Sequence, residues 1–289
     1  MNKRYILLLL LTLFSTVASA HQESEQLHTF ISTTSLQAVI GASILIALII
    51  AIASLKKNPS KSLKVILFTS ICIISISTTF YVAGATIYLN TTSESGGPVH
   101  WHTDFEIWKC DERLDLKDPK GLSNRIGTPV FHEHGDQRIH IEGVVSHLDS
   151  INLHNFFHVV GGELTSTSLT LPTNDGITTA VNGESCESEN AENREPANSA
   201  SNELQIFLYR ITNPSATHKT GFFYTQTKLD NPETYIPAPY SYVPAGDCVI
   251  IEYGPKKDKT DKICESYRIA RNQGHIQELS SEIEVNNGS

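Results

Sequence analysis

His100 and His102 are separated by one residue, His132 and His134 likewise, and His140 is followed two positions later by Glu142. They fall in three short motifs, H-W-H, H-E-H-G-D and R-I-H-I-E-G. Alternate residues of a strand lie about 6.6 Å apart on one face, near enough for two imidazoles to reach one ion. A single H-x-H is an ordinary strand feature. Two such pairs, a third strand histidine and the neighbouring carboxylates Asp104, Asp136 and Glu142 point to a divalent-metal site. The five histidines are then the ligands, and the three carboxylates either bind the ion or accept hydrogen bonds that orient the rings. The competing reading is a face of solvated or hydrogen-bonded histidines.

The donor set narrows the metal. Met1 is the single methionine and would leave with a signal peptide, so a methionine-based Cu(I) site is excluded, and no cysteine stands with His and Met at blue-copper spacing. Imidazole and carboxylate donors leave Zn or Cu(II) foremost. His100-x-His102 followed by Glu106 matches the core spacing of the cupin metal motif, but Glu94 and Arg113 stand where that motif wants glycines. Too little chain lies between the apolar segments and His100 to supply the preceding strands of a cupin. His154 and His158 lie one helical turn apart and read as the border of an aromatic core stripe. His21, an amino-terminal copper chelator if the signal is cut before it, has no supporting residues around it.

These side chains need a scaffold. From His100 to Lys109 the sequence alternates, placing His100, His102, Asp104 and Glu106 on one face and Trp101, Thr103, Phe105 and Ile107 on the other. Arg138 to Val145 alternates again, with His140 and Glu142 opposite Ile139 and Ile141. Asp149 or Ser150 can cap a helix in which Leu153, Phe156, Phe157 and Val160 recur at helical spacing, stopped by Gly161-Gly162. Leu164 to Leu171, Leu204 to Ile211, Gly221 to Thr227 and Cys248 to Tyr253 read as strands. The predicted fold is α+β: two transmembrane helices followed by a mainly antiparallel β domain with one short helix over residues 99–272. Residues 182–202, rich in Glu, Asn and Ser, read as a mobile loop, and residues 273–289 as a disordered tail or frayed helix.

The chain before residue 99 is of another kind. Residues 1–20 carry a basic start, an apolar run and a small-residue cleavage signature, the pattern of a secretory signal. A short extracytoplasmic segment, 21–34, precedes apolar stretches at 35–55 and 65–89, each long enough to cross a hydrocarbon core of about 30 Å as a helix. Neither contains an ionisable group of the kind that marks a transport path, so the pair reads as an anchor. Residues 56–64 between them hold Lys56, Lys57, Lys61 and Lys64 and no acid, which places this loop in the cytoplasm. After the linker 90–98, everything is extracytoplasmic. There Cys110, Cys186, Cys248 and Cys264 are expected to form two disulfides. If residues 249–253 and 263–267 formed a hairpin, Cys264 would fall about four residues out of register with Cys248, which favours cross-domain pairing. The net charge of -9 excludes nucleic acid as a partner and suits a cation.

The succession H-W-H, H-x-H-x-D and I-H-I-E-G, then an F-F helix and a G-D-C-V-I-I-E-Y-G strand, resembles an uncharacterised group of prokaryotic membrane-anchored proteins. The resemblance covers residues 99–162 and 246–254. It implies a single site built from the clustered histidines and marks residues 182–202 as an insertion. The leading reading is an extracytoplasmic metal-binding domain. The alternatives are a metal-dependent hydrolase or lyase with Glu133 or Glu142 as base, and an interaction module with pH-responsive histidines.

Overall fold

A computed structural model describes residues 30–56, 58–186, 202–216, 221–237, 239 and 241–279. Two compact units divide the chain at Gly97/Pro98. The first contains the helices α1 (Phe30–Leu55) and α2 (Lys61–Thr92), both long and apolar enough to cross a membrane and neither with a buried window. They begin before the predicted stretches, and α2 also runs beyond its stretch, shortening both the loop between them and the linker that follows. Residues 1–20, expected to be a signal sequence, and residues 21–29 lie outside the described residues. Ser60 caps α2 by accepting from the Leu63 amide. Inside the helices, Ser43, Ser54, Thr78 and Thr79 donate to the carbonyls one turn back, so these hydroxyls are satisfied without a partner helix.

The second unit is the predicted mixed domain. Its large sheet runs β12-β10-β9-β11-β1-β5-β4-β3, with β2 also paired to β1. The strands are β1 (Pro98–Lys109), β2 (Glu112–Leu114), β3 (Ile126–Gly127), β4 (Phe131–Glu133), β5 (Arg138–Val144), β9 (Asn202–Ile211), β10 (Phe222–Lys228), β11 (Cys248–Pro255) and β12 (Ile276–Glu278). All neighbours are antiparallel except β1 with β11 and β10 with β12. A smaller antiparallel sheet joins β6 (Glu163–Leu164), β7 (Ser168–Thr173) and β8 (Gly176–Val181). The single strand expected over residues 164–171 is therefore two, split by a turn in which the Thr165 hydroxyl accepts from the amides of Thr167 and Ser168.

Strand alternation divides the core in two. Phe105, Ile107, Ile139, Ile141, Leu204, Ile206, Leu208, Val249 and Ile251 enter one cluster, beside α3 (Leu153–Val159). There Phe156 meets Phe105 and Phe131 at ring separations of 5.5 and 5.4 Å. The intervening residues Phe207, Tyr209, Ile211, Cys248 and Ile250 enter the other, beside Tyr267 of α4 (Glu265–Asn272). Asn152, not Asp149 or Ser150, caps α3, because a 3-10 turn over Leu148–Ile151 takes up the earlier residues.

Two expectations fail at the C-terminus. Residues 263–267 are not a strand: Cys264 is the N-cap of α4 and is bridged to Cys248. The Cα atoms lie 5.8 Å apart because residues 256–263 loop back to the start of β11 instead of pairing along it. The other bridge, Cys110 to Cys186, spans 76 residues and tethers the segment after β8 to the β1–β2 turn. The segment from residue 273 is not wholly a tail, since β12 joins the sheet edge beside β10 and buries Ile276. Residues 280–289 lie outside the described residues, as do 187–201 of the expected loop.

One backbone contact sits directly behind the histidine strand. Gly246 has φ +74°, and a Cβ there would fall 1.7 Å from the His102 carbonyl oxygen. Only glycine tolerates both the conformation and the approach. Gly246→Ala should therefore destabilise the domain by about 2–4 kcal/mol. A urea midpoint followed by the emission of Trp101 and Trp108, the two tryptophans of the chain and both on β1, measures the loss.

Candidate metal centre

Three adjacent strands build the centre. In the β1–β5 register His102 stands opposite His140 and His100 opposite Glu142. In the β4–β5 register His132 stands opposite His140. His102, His140 and His132 thus form a cross-strand row on the face that alternates with Phe105, Ile139, Ile141 and Phe131. His134 follows β4 directly and turns back, its ring centroid 4.7 Å from His132 and 4.6 Å from His140. The five predicted histidines are brought together.

Their donor atoms form two overlapping groups. His100, His102, His140 and Glu142 make one, and His132, His134, His140 and Glu142 the other, each with ligand atoms within 4.8 Å of one another. His132 Nε2 lies 3.2 Å from His134 Nε2, and His100 Nε2 lies 3.2 Å from Glu142 Oε1. Two nitrogens on a tetrahedral Zn at 2.0–2.1 Å are separated by about 3.3 Å, so both contacts have the length of a coordination edge.

Hydrogen bonds settle the availability of several lone pairs. His134 Nδ1 contacts the Asn124 carbonyl and must donate to it, which leaves Nε2 as an acceptor or ligand. His140 Nε2 contacts Asp136, 3.1 Å from Oδ2, the arrangement by which a carboxylate orients a metal-bound imidazole. The other nitrogen of that ring, Nδ1, is buried with no partner among the described residues, and so are His132 Nδ1 and His102 Nε2. His132 is 0% exposed and His140 8%.

The carboxylates divide by role. Glu142 belongs to both donor groups and Asp136 to the orienting shell. Asp104 belongs to neither: it is buried, paired with Arg138 opposite it on β5, and accepts from the Ser266 hydroxyl of α4. This pairing neutralises the one guanidinium beside His102, and the bond to Asp104 raises the Arg138 pKa further. Glu106 also lies away from the cluster, accepting from the Trp108 indole at 3.0 Å, so the cupin-like spacing does not build a cupin-like site. Glu133 points, by alternation, to the side of Phe131, where Oε1 accepts from the Asp136 and Gln137 amides at 2.7 and 3.0 Å. It braces the turn that carries His134 and Asp136 and is not placed as a base over the histidines. The H-E-H motif contained that signal, a carboxylate three residues before a backbone turn, without showing its direction. His154 Nδ1 donates to the Leu164 carbonyl, 2.7 Å away, and His158 is exposed; both ride on α3, on the side of the other core.

Burial holds the imidazoles of His102, His132 and His140 below their usual range; for His102 the neighbouring His140 and Arg138 add to it, and for His140 burial outweighs Asp136. Neutral rings are competent ligands. Burial pushes the carboxyls of Glu133 and Glu106 up. The linkage signs differ. Each depressed histidine binds its proton more readily unfolded, so the stability it contributes is present above 6.5 and is lost as the pH falls through the lowered folded value. Each raised carboxyl gives stability present below 4.5 and lost as the pH rises through its folded value. In the metal-free protein, His140→Gln should narrow the difference between the urea midpoints at pH 7.5 and pH 5.5. An unchanged difference would show that His140 titrates alike folded and unfolded.

No family model, curated protein or solved structure matches the chain.

Proposed function

We propose that this chain is a membrane-anchored protein that presents a divalent-metal-binding domain outside the cytoplasm, with Zn or Cu(II) as its ion. The observation that carries the metal reading is the convergence of five imidazoles and Glu142 into groups with donors within 4.8 Å, where His102 Nε2 and His140 Nδ1 are buried without partners among the described residues. A histidine face serving only stability would satisfy or solvate those atoms, since each unsatisfied buried polar group costs about 1–3 kcal/mol. Nitrogen with carboxylate oxygen suits Zn and Cu(II) and disfavours Ca and Mg.

The full chain in mild detergent, stripped with chelator, incubated with Zn or Cu(II) and desalted, should retain at least one equivalent by elemental analysis. Affinity should fall on acidification as the imidazoles protonate. His102→Ala with His134→Ala should weaken binding by more than about 100-fold, beyond the usual cost of losing an orienting residue. Circular dichroism checks that the double variant is folded. Equal retention by wild type and variant would overturn the reading.

Orientation rests on separate grounds. The apolar helices flank a lysine-bearing loop, residues 1–20 have the pattern of a secretory signal, and both bridged cysteine pairs suit an oxidising compartment. Protease added to spheroplasts should degrade or release the domain after residue 97. Protection until the membrane is lysed would reverse the topology.

A further inference from the structure

Among the described residues, Glu142 is the one side chain whose two acceptor atoms face different histidine pairs. Its Oε1 lies 3.2 Å from His100 Nε2, on the β1 side, and its Oε2 lies 3.8 Å from His132 Nε2, on the β4 side. β5 runs between β1 and β4, so their backbones are about 9.6 Å apart, twice the strand spacing. Donors of one bound tetrahedral ion close to about 3.5 Å of each other, and no group of donors already within 4.8 Å combines the two pairs among the described residues. The two H-x-H pairs therefore do not share a donor group: His100 and His102 fall in one, His132 and His134 in the other, with Glu142 and His140 common to both.

We propose that the cluster holds two divalent ions bridged by the Glu142 carboxylate, an inference that rests on the metal reading above. His100, His102 and Oε1 hold the first ion, and His132, His134 and Oε2 the second. His140 stands between them and completes one set through Nδ1, its Nε2 being taken by Asp136. Carboxylate-bridged ions stand about 3.5–4 Å apart, which one glutamate can span. Repulsion between the ions is opposed by Glu142 between them and by Asp136 at their edge, while Arg138 is neutralised by Asp104. The inner ligand His132 has a fully buried side chain, whereas those of His100 and Glu142 are 65% and 38% exposed, so ions have a route in from solvent. Within the second set, the His132 and His134 Nε2 atoms 3.2 Å apart need a proton or a cation between them.

Stoichiometry and spin coupling test this on the full chain in detergent. Wild type should bind two Zn per chain. His100→Ala with His102→Ala, and separately His134→Ala, should each bind one. Loaded with Cu(II), wild type should show a half-field electron paramagnetic resonance transition and less signal than two isolated ions. Glu142→Gln, which keeps a single carbonyl oxygen and cannot bridge, should abolish the half-field transition while retaining copper. His134→Ala keeps the test open if the double variant does not fold. One ion per wild-type chain overturns the proposal while leaving the metal reading intact; so does loss of all metal in a folded single-pair variant. No ion in wild type overturns the metal reading itself.

Discussion

The register between β1 and β5 is the constraint on which the cluster depends. It sets His102 against His140 and His100 against Glu142, and the β4–β5 register then adds His132 to the row. A slip of one residue would turn Ile139 and Ile141 to the polar face and carry His140 and Glu142 into the apolar core. Several features oppose that slip. Ile139, Ile141, Phe105 and Phe131 are at most 3% exposed and pack with α3. Asp104 and Arg138, directly opposite one another, add an ion pair that holds only in this register. On the other side of β1, the parallel pairing with β11 sets Asp104 against Cys248, and Gly246 just before it leaves no room for a shift of the His102 carbonyl. The site is thus held by packing beneath it and backbone contact beside it.

That arrangement carries a local energetic conflict. Three imidazoles are placed where their charged forms are disfavoured, and each leaves a buried nitrogen unpaired. Other polar groups nearby are matched closely: Asp247 is bonded by Arg210 and Tyr235, and Asp104 by Arg138 and Ser266. The same sheet satisfies Asp104 and Asp247 a few residues away, while three ring nitrogens stay unpaired where the histidines converge. Under the proposed function, a metal ion that binds the native state alone would recover the part of this cost carried by His102 Nε2 and His140 Nδ1, and its affinity would add to folding stability.

Alternation made the central strands legible. The H-W-H-T-D-F-E-I run reads as a strand with two dissimilar faces, and β1 has them. The short helix, β5, β9, β10 and β11 were likewise visible from periodicity. What failed was local pattern without long-range context. Residues 263–267 look like a strand by composition, but Tyr267 and Ala270 are spaced to bury one side of a helix, and α4 forms because the sheet face above Tyr209 and Ile250 needs cover. With that helix unrecognised, the Cys248–Cys264 bridge looked out of reach. β12, with three residues, exists only because β10 offers an unpaired edge. At the site, the histidines were legible because their spacing is chemical as well as structural. The fate of Asp104 was not, since nothing local reveals that Arg138 and Ser266, from 34 and 162 residues away, both reach it.

The division of one sheet face between α4 and the histidines explains why the cluster is accessible at all. Along β9, β10 and β11 this face carries aromatic and aliphatic residues and is covered by the helix. Toward β1, β5 and β4 the same face changes to His102, His140 and His132, and the helix ends first: Ser266, in its first turn, meets Asp104 at the boundary. Asp104 therefore has two consequences from one position. It fixes the start of the helix, and it holds Arg138 in a closed ion pair beside His102. The helix is anchored at the same end by Cys264 bonded to Cys248, and through Tyr267, whose hydroxyl donates to the Gly246 and Tyr209 carbonyls. Because Gly246 abuts the His102 carbonyl, the helix that stops short of the histidines also fixes the backbone behind them. Residues near the C-terminus thus set both the boundary and the rigidity of a cluster whose candidate donors all come from residues 100–142.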